Sequence, residues 1–329
     1  MRSPFDEDAR LARTFVAIDG GKSGVRVTVR SASGCAYGQT QGTFHADGAN
    51  EVDAIIAAVD EALADCGPYD RPTAVCAGLT GYPDAPAIRA HLRNRLASLT
   101  GTPNVIVVED CVTAHVGALG SAGTVVSAGT GTVVLGIGAA YDTERRDGWG
   151  PLLGDRGSGF AIGRAGLKAA WSARDGVGPR TGLTERARAF LGGDELRDVQ
   201  RFYTAPALFT CVSDFATWVF DAAREHDEVA TAIVHRAVAD LTDSVVSAAR
   251  SLADEPDAVS YAGRLFDAGA ALLEPFADGL RRHGLRLQEP AGNALAGAMR
   301  IAMAAGPDRP DFGIYGSLIA TTADTGDVS

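Results

Sequence analysis

Two glycine-rich turns, one in each half of the chain, have the composition of phosphate-binding loops. They read Asp19-Gly20-Gly21-Lys22-Ser23 and Ala128-Gly129-Thr130-Gly131-Thr132. Glycine lets backbone amides approach phosphate oxygens closely, so two such turns facing one another could clamp a polyphosphate. Asp19 also offers the type of oxygen ligand that a phosphate-bound Mg²⁺ needs. Either turn alone is more simply an ordinary β-turn, but their recurrence beside an acid favours phosphate binding.

A third candidate is the acidic pair Glu109-Asp110, which directly follows the apolar run at residues 105–108. An acid at the carboxyl end of a buried strand lies where α/β folds bind ligands. The alternative role is a helix cap, which either acid could fill. We favour Asp110 as the functional residue, because it follows the strand and immediately precedes a helical segment.

Two other glycine motifs carry little weight. Gly21-Lys22-Ser23 resembles the end of a P-loop, but Val16 stands where that motif requires a glycine, and a strand follows in place of a helix. Gly157-Ser158-Gly159 with Gly163 resembles a relaxed dinucleotide fingerprint, yet no uninterrupted strand precedes it.

The elements that must position these residues alternate between strands and helices. Hydrophobic periodicity predicts strands at residues 14–18, 25–30, 74–77, 105–108, 124–127, 133–137 and 259–262. It predicts helices at residues 51–66, 86–99, 159–171, 208–224, 229–252, 268–283 and 293–304. Residues 15–29 and 124–137 share one plan of strand, small-residue turn and strand. This repeat predicts two related α/β domains, residues 1–117 and 118–329, with the last helix returning to the first domain.

Composition excludes several classes of partner. The chain has 329 residues, 46% of them hydrophobic, and a formal net charge of -11, which would repel nucleic acid and anionic membrane surfaces. Its five cysteines are widely spaced and form neither a disulfide framework nor a metal-ligand pair, which favours a reducing cytoplasm. The polar start lacks the apolar core of a signal peptide. Residues 121–141 carry no charge, but their glycines and Val pairs indicate two strands rather than a membrane helix.

Together these motifs resemble the N-acetylglucosamine kinase and BadF/BadG/BcrA/BcrD ATPase group of the sugar kinase, actin and Hsp70 superfamily. The resemblance covers about residues 15–304, and its most specific segment is GWGPLLGDRGSGFAIG at 148–163, which looks like the signature WGxxLGDEGSG. It implies a two-domain actin-like ATPase fold, related to ribonuclease H, with ATP, Mg²⁺ and sugar in a cleft between the domains.

The resemblance also implies roles for individual residues. Asp110 matches the catalytic base. The residues that match the phosphate loops are Asp19, Gly20, Gly21, Lys22, Ser23, Gly129, Thr130 and Gly131, with Asp19 also directed at Mg²⁺. Gly263 and Arg264 match the adenosine site, and the substrate residues implied are His45, Thr80, Gly81, Trp149, Gly150 and Asp155.

Three departures from the family pattern bear on the substrate. His45 stands where related kinases usually carry asparagine, although an exposed loop histidine without a ligand role is an equal alternative. Arg156 replaces the glutamate of GDEGSG, and Asp147 replaces a frequent glycine. These changes weaken the assignment of one particular sugar.

The function implied is ATP-dependent phosphorylation of an amino sugar, first of all N-acetylglucosamine at its 6-hydroxyl, by a cytoplasmic enzyme. A kinase of another sugar such as glucosamine stays open, and a homodimer is one possible assembly. An ATPase that activates a dehydratase would need cluster-binding thiolates, and no cysteine follows the second turn before Cys211. A sugar sensor would show an added basic DNA-binding segment, and a zinc-dependent kinase a Cys/His cluster; we find neither pattern.

Overall fold

The structure, a computed structural model, describes residues 13–21, 24–41, 49–81, 85–205, 207–305 and 312–322. The chain divides into two units. The first unit contains Met1–Ala122, Ala139–Tyr141 and Pro290–Ser329, and the second contains Gly123–Gly138 and Asp142–Glu289. Each unit is built around one five-stranded sheet.

The strands and helices follow one another in a regular α/β order. The strands are β1 (Phe15–Gly21), β2 (Gly24–Ser31), β3 (Gly34–Gln41), β4 (Ala74–Leu79), β5 (Val105–Glu109), β6 (Gly123–Ala128), β7 (Thr132–Ile137), β8 (Thr143–Asp147), β9 (Ala258–Ala262) and β10 (Arg286–Leu287). The helices are α1 (Ala49–Asp65), α2 (Pro86–Thr100), α3 (Asp110–Ala118), α4 (Gly159–Arg174), α5 (Leu183–Leu191), α6 (Leu196–Tyr203), α7 (Leu208–Arg224), α8 (Glu228–Ser251), α9 (Ala270–Arg282), α10 (Ala294–Ala304) and α11 (Gly316–Thr322). Two 3₁₀ helices cover Arg264–Ala268 and Gly313–Tyr315.

The first sheet has the strand order β3-β2-β1-β4-β5. Strands β1, β2 and β3 pair antiparallel, whereas β1, β4 and β5 pair parallel. The central strands β1 and β4 are almost entirely buried, as their continuous apolar runs require. Asp19 pairs with Gly78, and Leu79 pairs with Glu109, so β1, β4 and β5 end at one edge of the sheet.

Helices cover this first sheet. α1 buries Val52, Ile55 and Val59 in the same core as the valines of β2. α10, from the far end of the chain, packs on α3, β1 and β4. A Cβ at Gly297 of α10 would overlap the backbone of α3, so this glycine lets the two helices lie in direct contact.

The second sheet repeats the topology of the first. Its order is β10-β9-β6-β7-β8, with β6, β7 and β8 antiparallel and β6, β9 and β10 parallel. In both sheets the first three strands form a meander, and the fourth and fifth strands add in parallel beside the first. The predicted repeat of strand, turn and strand therefore extends to the complete sheets.

Helices α4 to α9 of the second unit lie between β8 and β10 in the sequence. α8 lies against β6, β7 and β8, and α4 crosses α7 closely. A Cβ at Gly163 would overlap the carbonyl oxygen of Val212, and one at Gly166 would overlap the side chain of Val219. Among the residues described, no helix is long and apolar enough to cross a membrane.

The sequence predicted most of these strands and helices and missed six of them. The uncharged stretch at 121–141 forms β6 and β7, as predicted. The missed strands are β3, β8 and β10, and the missed helices are α5, α6 and α11. β3 and β8 are largely exposed edge strands with polar or charged residues, so neither shows the apolar run of a buried strand.

Candidate active site

Three acids, Asp19, Glu109 and Asp110, lie where β1 and β5 end. Asp110 is the first residue of α3, and its Oδ2 atom accepts a hydrogen bond of 2.5 Å from the hydroxyl of Thr80. Thr80 in turn donates its backbone amide to the carbonyl oxygen of Gly20, at 2.9 Å. The first glycine turn, the Thr80-Gly81 segment and Asp110 are therefore joined by two consecutive hydrogen bonds.

The surroundings of Asp110 favour its protonated form. Burial raises the pKa of Asp110, and the nearby carboxylates of Asp19 and Glu109 raise it further, while the hydrogen bond from Thr80 lowers it. A raised pKa makes the ionised carboxylate a stronger proton acceptor. Glu109 is the N-cap residue of α3 but makes no capping hydrogen bond with its side chain.

Asp19 lies near the end of β1, only 6% exposed, and forms an ion pair with Arg26 on the neighbouring strand β2. Burial raises the pKa of Asp19, and Arg26 opposes that effect. The described residues contain no cluster of three metal-binding side chains. Mg²⁺ commonly takes only one or two carboxylates and completes its shell with water and phosphate oxygens, so Asp19 beside the first glycine turn fits this ion.

The second glycine turn connects β6 to β7 and is held by the start of α4. Gly159 donates its amide to the carbonyl oxygen of Gly129 at 2.8 Å, and Phe160 donates to that of Thr130 at 3.2 Å. Gly129 also donates its amide to the carbonyl oxygen of Gly131 at 2.9 Å. The first amides of α4 therefore hold the turn in place. In a dinucleotide fingerprint the corresponding amides bind the pyrophosphate.

The glycines of the rejected dinucleotide fingerprint serve packing. A Cβ at Gly157 would lie 2.7 Å from the carbonyl oxygen of Ala237, and Gly163 contacts α7 as described above. Ser158 caps α4 by accepting a 3.1 Å hydrogen bond from the amide of Ala161.

The signature segment forms a loop between β8 and α4. Asp155 is 4% exposed, and its Oδ1 atom accepts a 3.3 Å hydrogen bond from the amide of Thr132 at the end of the second glycine turn. Trp149 is 75% exposed at the other end of the loop. Gly150 has a φ of 83°, which favours glycine.

A cavity of about 340 Å³ opens beside the second glycine turn. Gly129 and Thr130 line one side of it, and Arg264 and Asp267 of the 3₁₀ helix line another. Gly263 precedes this 3₁₀ helix with a φ of 96°, and a Cβ there would overlap the backbone of Ala128. Glycine at this position therefore brings the predicted adenosine residues against the end of β6.

Sequence reasoning missed the helical wall of this cavity. It is formed by polar residues of α7, namely Ser213, Asp214, Thr217, Asp221 and Arg224. Most of these residues recur three or four positions apart, which places them on one face of the helix. That polar stripe was a usable signal, because the opposite face buries Val212, Phe215 and Val219 in the core.

The structure brings the predicted site residues into two groups. Asp19, Gly20, Thr80, Gly81 and Asp110 belong to the first unit, and Gly129, Thr130, Gly131, Trp149, Gly150, Asp155, Gly263 and Arg264 belong to the second. Gly21 ends β1 beside the first group. Lys22, Ser23 and His45 lie outside the described residues, and their assignments stay predictions.

Residues 16–298 match the BadF/BadG/BcrA/BcrD ATPase family. The chain belongs to this family. The resemblance read from the sequence is thus confirmed, over nearly the range expected.

Known proteins of related sequence match parts of the chain. An N-acetyl-D-glucosamine kinase of Dictyostelium discoideum is 48% identical over 63 residues, which are 19% of this chain and 20% of that protein. An N-acetylmuramic acid/N-acetylglucosamine kinase of Clostridium acetobutylicum is 32% identical over 120 residues, or 36% of this chain and 39% of that protein. The matched segments thus span about a fifth and about two fifths of these relatives.

A solved structure shares the fold over most of the chain. A provisionally assigned N-acetylglucosamine kinase from Chromobacterium violaceum superposes with a TM-score of 0.67 at 24% identity, covering 88% of this chain and 98% of that protein. The predicted two-domain α/β fold class is confirmed by this likeness and by the two sheets.

Proposed function

We propose that this family member is an ATP-dependent kinase that phosphorylates an amino sugar, with N-acetylglucosamine at its 6-hydroxyl as the first candidate. The observation that carries the proposal is the Thr80–Asp110 hydrogen bond beside Asp19, at an edge where three parallel strands end. The choice of sugar is supported by the two relatives of related sequence, an N-acetyl-D-glucosamine kinase and an N-acetylmuramic acid/N-acetylglucosamine kinase.

Asp110 acts in this proposal as the general base. Its carboxylate accepts the proton of the attacking hydroxyl, and its raised pKa increases its affinity for that proton. Thr80 holds one carboxylate oxygen by hydrogen bonding, which fixes the direction in which the other oxygen can accept. The sugar is bound in this proposal by Gly81, Trp149, Gly150 and Asp155, with His45 as a further contact.

The nucleotide belongs to the second unit. The cavity beside Gly129 and Thr130 is of a size for adenosine, with Arg264 and the polar face of α7 as its walls. Bound Mg-ATP supplies the phosphoryl group and neutralising charge. The residues of the first turn, Gly20, Gly21, Lys22 and Ser23, would hold phosphate oxygens, as would Gly131 of the second turn. Asp19 would be the ligand of Mg²⁺.

We place the enzyme in a reducing cytoplasm, consistent with its five free cysteines. The two functional domains of this proposal are residues 1–117 and 118–329. The helix that returns to the first domain is α10. A homodimer stays a prediction.

An ATP-coupled screen of hexoses, amino sugars and N-acetylated amino sugars tests the proposal. We expect the highest kcat/KM with an N-acetylated amino sugar, and ATP hydrolysis without sugar to be much slower. The matched control is 6-deoxy-N-acetylglucosamine, which lacks the acceptor hydroxyl and should give no product. Turnover no faster with any sugar than without sugar would refute the kinase assignment. Phosphorylation of the 6-deoxy sugar would refute only the position.

A further inference from the structure

One buried carboxylate closes the loop at residues 148–155. Asp147 is the last residue of β8, and its side chain is 1% exposed. Its Oδ1 atom accepts hydrogen bonds from the amides of Gly148, at 2.9 Å, and Asp155. Its Oδ2 atom accepts from the amide of Arg156 at 2.9 Å. The entry and the exit of the loop therefore meet at a single side chain.

Arg156 extends this arrangement to the helical layer. Its Nε atom donates to Oδ2 of Asp147 at 3.3 Å, and its Nη2 atom donates to the hydroxyl of Ser244 on α8 at 3.1 Å. The carboxylate thus has four donors, three of them backbone amides. Hydrogen bonds to an ionised acceptor are about twice as strong as those between neutral groups.

The backbone conformation of Asp147 is less favourable than the common extended or helical ones. Its φ is 64°, a left-handed value that is uncommon for residues other than glycine. A Cβ at Gly154 would overlap Oδ1 of Asp147, so the carboxylate also fixes a residue inside the loop. The four donors to the carboxylate of Asp147 hold an aspartate in this left-handed conformation.

The loop carries one residue that contacts the second glycine turn and three residues whose side chains are exposed. Asp155 lies buried against the second glycine turn through its bond to Thr132, whereas Trp149, Leu152 and Leu153 are 75%, 81% and 88% exposed. A fixed base with an exposed tip is what a binding loop requires, because its contacts must be oriented before the ligand arrives.

We propose that Asp147 is a positioning residue for the acceptor: it holds the loop so that Asp155 and Trp149 face the sugar, and Arg156 is its partner. This inference rests on the proposed kinase function. It also explains the two departures from the signature, since the aspartate at 147 and the arginine at 156 contact each other directly.

The variant Asp147→Gly separates the carboxylate from the backbone conformation. Glycine adopts a φ of 64° without strain, so only the hydrogen bonds are removed. We expect the KM for the sugar to rise about tenfold or more. The Kd of ATP should change by no more than about twofold, because α7 and the 3₁₀ helix form the nucleotide cavity. Glu144→Gln is the matched control, because this β8 acid pairs with Arg146 away from the loop.

Hydrogen exchange gives a readout that does not depend on turnover. In Asp147→Gly, peptides that contain residues 148–156 should exchange about tenfold faster or more, while those of β6 and α7 keep their wild-type rates. A merely structural aspartate would instead lower the melting temperature and weaken sugar and ATP binding in parallel. Arg156→Gln, which leaves the three backbone bonds to Asp147 in place, should raise the sugar KM by a smaller factor and serves if Asp147→Gly does not fold.

The outcomes separate this inference from the function on which it rests. Absence of sugar phosphorylation by the wild-type enzyme overturns both. An active wild-type enzyme whose variants keep the sugar KM, or lose sugar and ATP affinity together, overturns only the role of Asp147. Unchanged exchange at residues 148–156 overturns it as well.

Discussion

At the scale of single residues, the account depends on the environment of Asp110 and on its contrast with Glu109. Glu109 ends β5 and Asp110 follows it, but only Asp110 accepts a hydrogen bond from the hydroxyl of Thr80, whereas Glu109 accepts a 3.3 Å hydrogen bond from the thiol of Cys111. A helix cap would require a side-chain bond to the first turn, and Glu109 makes none. The two acids therefore differ in their partners, and the proposed base is the one that accepts the hydroxyl of Thr80.

The hydrogen bond from Thr80 gives a pH-dependent prediction. It lowers the pKa of Asp110 against the effect of burial, so its loss in Thr80→Val should raise that pKa. A base must be ionised to act, and activity falls as the pH drops through its pKa. The acid limb of the kcat/KM profile should therefore move to higher pH in Thr80→Val.

Thr113→Val is the control for this profile, because the hydroxyl of Thr113 donates to the backbone oxygen of Asp110 at 2.9 Å and leaves the carboxylate untouched. Its acid limb should stay at the wild-type position. If the limb moves equally in both variants, or in neither, Thr80 does not control the ionisation of Asp110.

The sequence predicted some of the site residues and could not predict others, for a physical reason. Asp19, Asp110 and the glycine turns carry signals in their own composition and position. The role of Thr80 as a donor to Asp110 depends on strands that are paired in space but separated by 30 positions in the chain. Likewise the contact between Asp147 and Arg156 depends on how the loop folds back, and each residue alone was only a departure from a signature.

At the scale of elements, a close helix crossing at glycine determines the position of one wall of the proposed nucleotide cavity. α4 and α7 meet where Gly163 faces Val212, and the next residues of α7, Ser213 and Asp214, line the cavity. Because these helices have no space for a Cβ at this crossing, a larger residue must displace α7.

Gly163→Ala should therefore lower both stability and nucleotide affinity. We expect a loss of about 1–3 kcal/mol in the free energy of unfolding, measured by urea denaturation. The Kd of ATP should rise, because displacement of α7 moves the cavity wall. Gly316→Ala is the control: nothing lies within 4 Å of its Cβ position, so this helix substitution should be neutral or slightly stabilising. Unchanged stability in Gly163→Ala would show that the helices are less tightly packed than the structure indicates.

Prediction of elements succeeded where burial was strong. Central strands such as β1 and β4 have continuous apolar runs, and long helices such as α7 and α8 have clear apolar faces. Strand β8, with the sequence TERRD, is assigned by pairing with β7 and contacts with α8, neither of which periodicity can show. α6 buries little more than Asp198, so it too lacks an apolar signal.

At the scale of the whole molecule, the two sheets share one topology but carry different chemistry. The first places acids at the ends of β1 and β5, and the second places a glycine turn and a cavity after β6. The sequence indicated this repeat through only its first two strands in each half. The remaining strands of the two sheets correspond only in their order within the sheet. Strand order is set by folding and leaves no pattern in the sequence.

The proposed kinase mechanism requires that removal of the base abolish turnover and leave nucleotide binding intact. In Asp110→Asn we expect kcat on the best sugar to fall about a hundredfold to ten-thousandfold, because an amide cannot accept the proton. The Kd of ATP should stay within about twofold of wild type, since the cavity lies in the other unit.

The direction in which Asp110→Asn changes the stability of the fold can also be predicted. The pKa of Asp110 is raised by folding, so the ionised carboxylate weakens the folded state at any pH above that pKa, and this effect disappears as the pH falls below it. Asp110→Asn removes the charge and should melt no lower than the wild-type protein at neutral pH. A melting temperature at or above the wild-type value would separate a loss of activity from unfolding.

The decisive measurement is kcat of Asp110→Asn beside Glu109→Gln, each with ATP binding measured on the same preparation. The account predicts that Asp110→Asn loses nearly all turnover with intact ATP binding, and that Glu109→Gln keeps most of it. Wild-type kcat in Asp110→Asn together with loss of turnover in Glu109→Gln would assign the base to the neighbouring residue. Full activity in both variants would contradict the proposed mechanism.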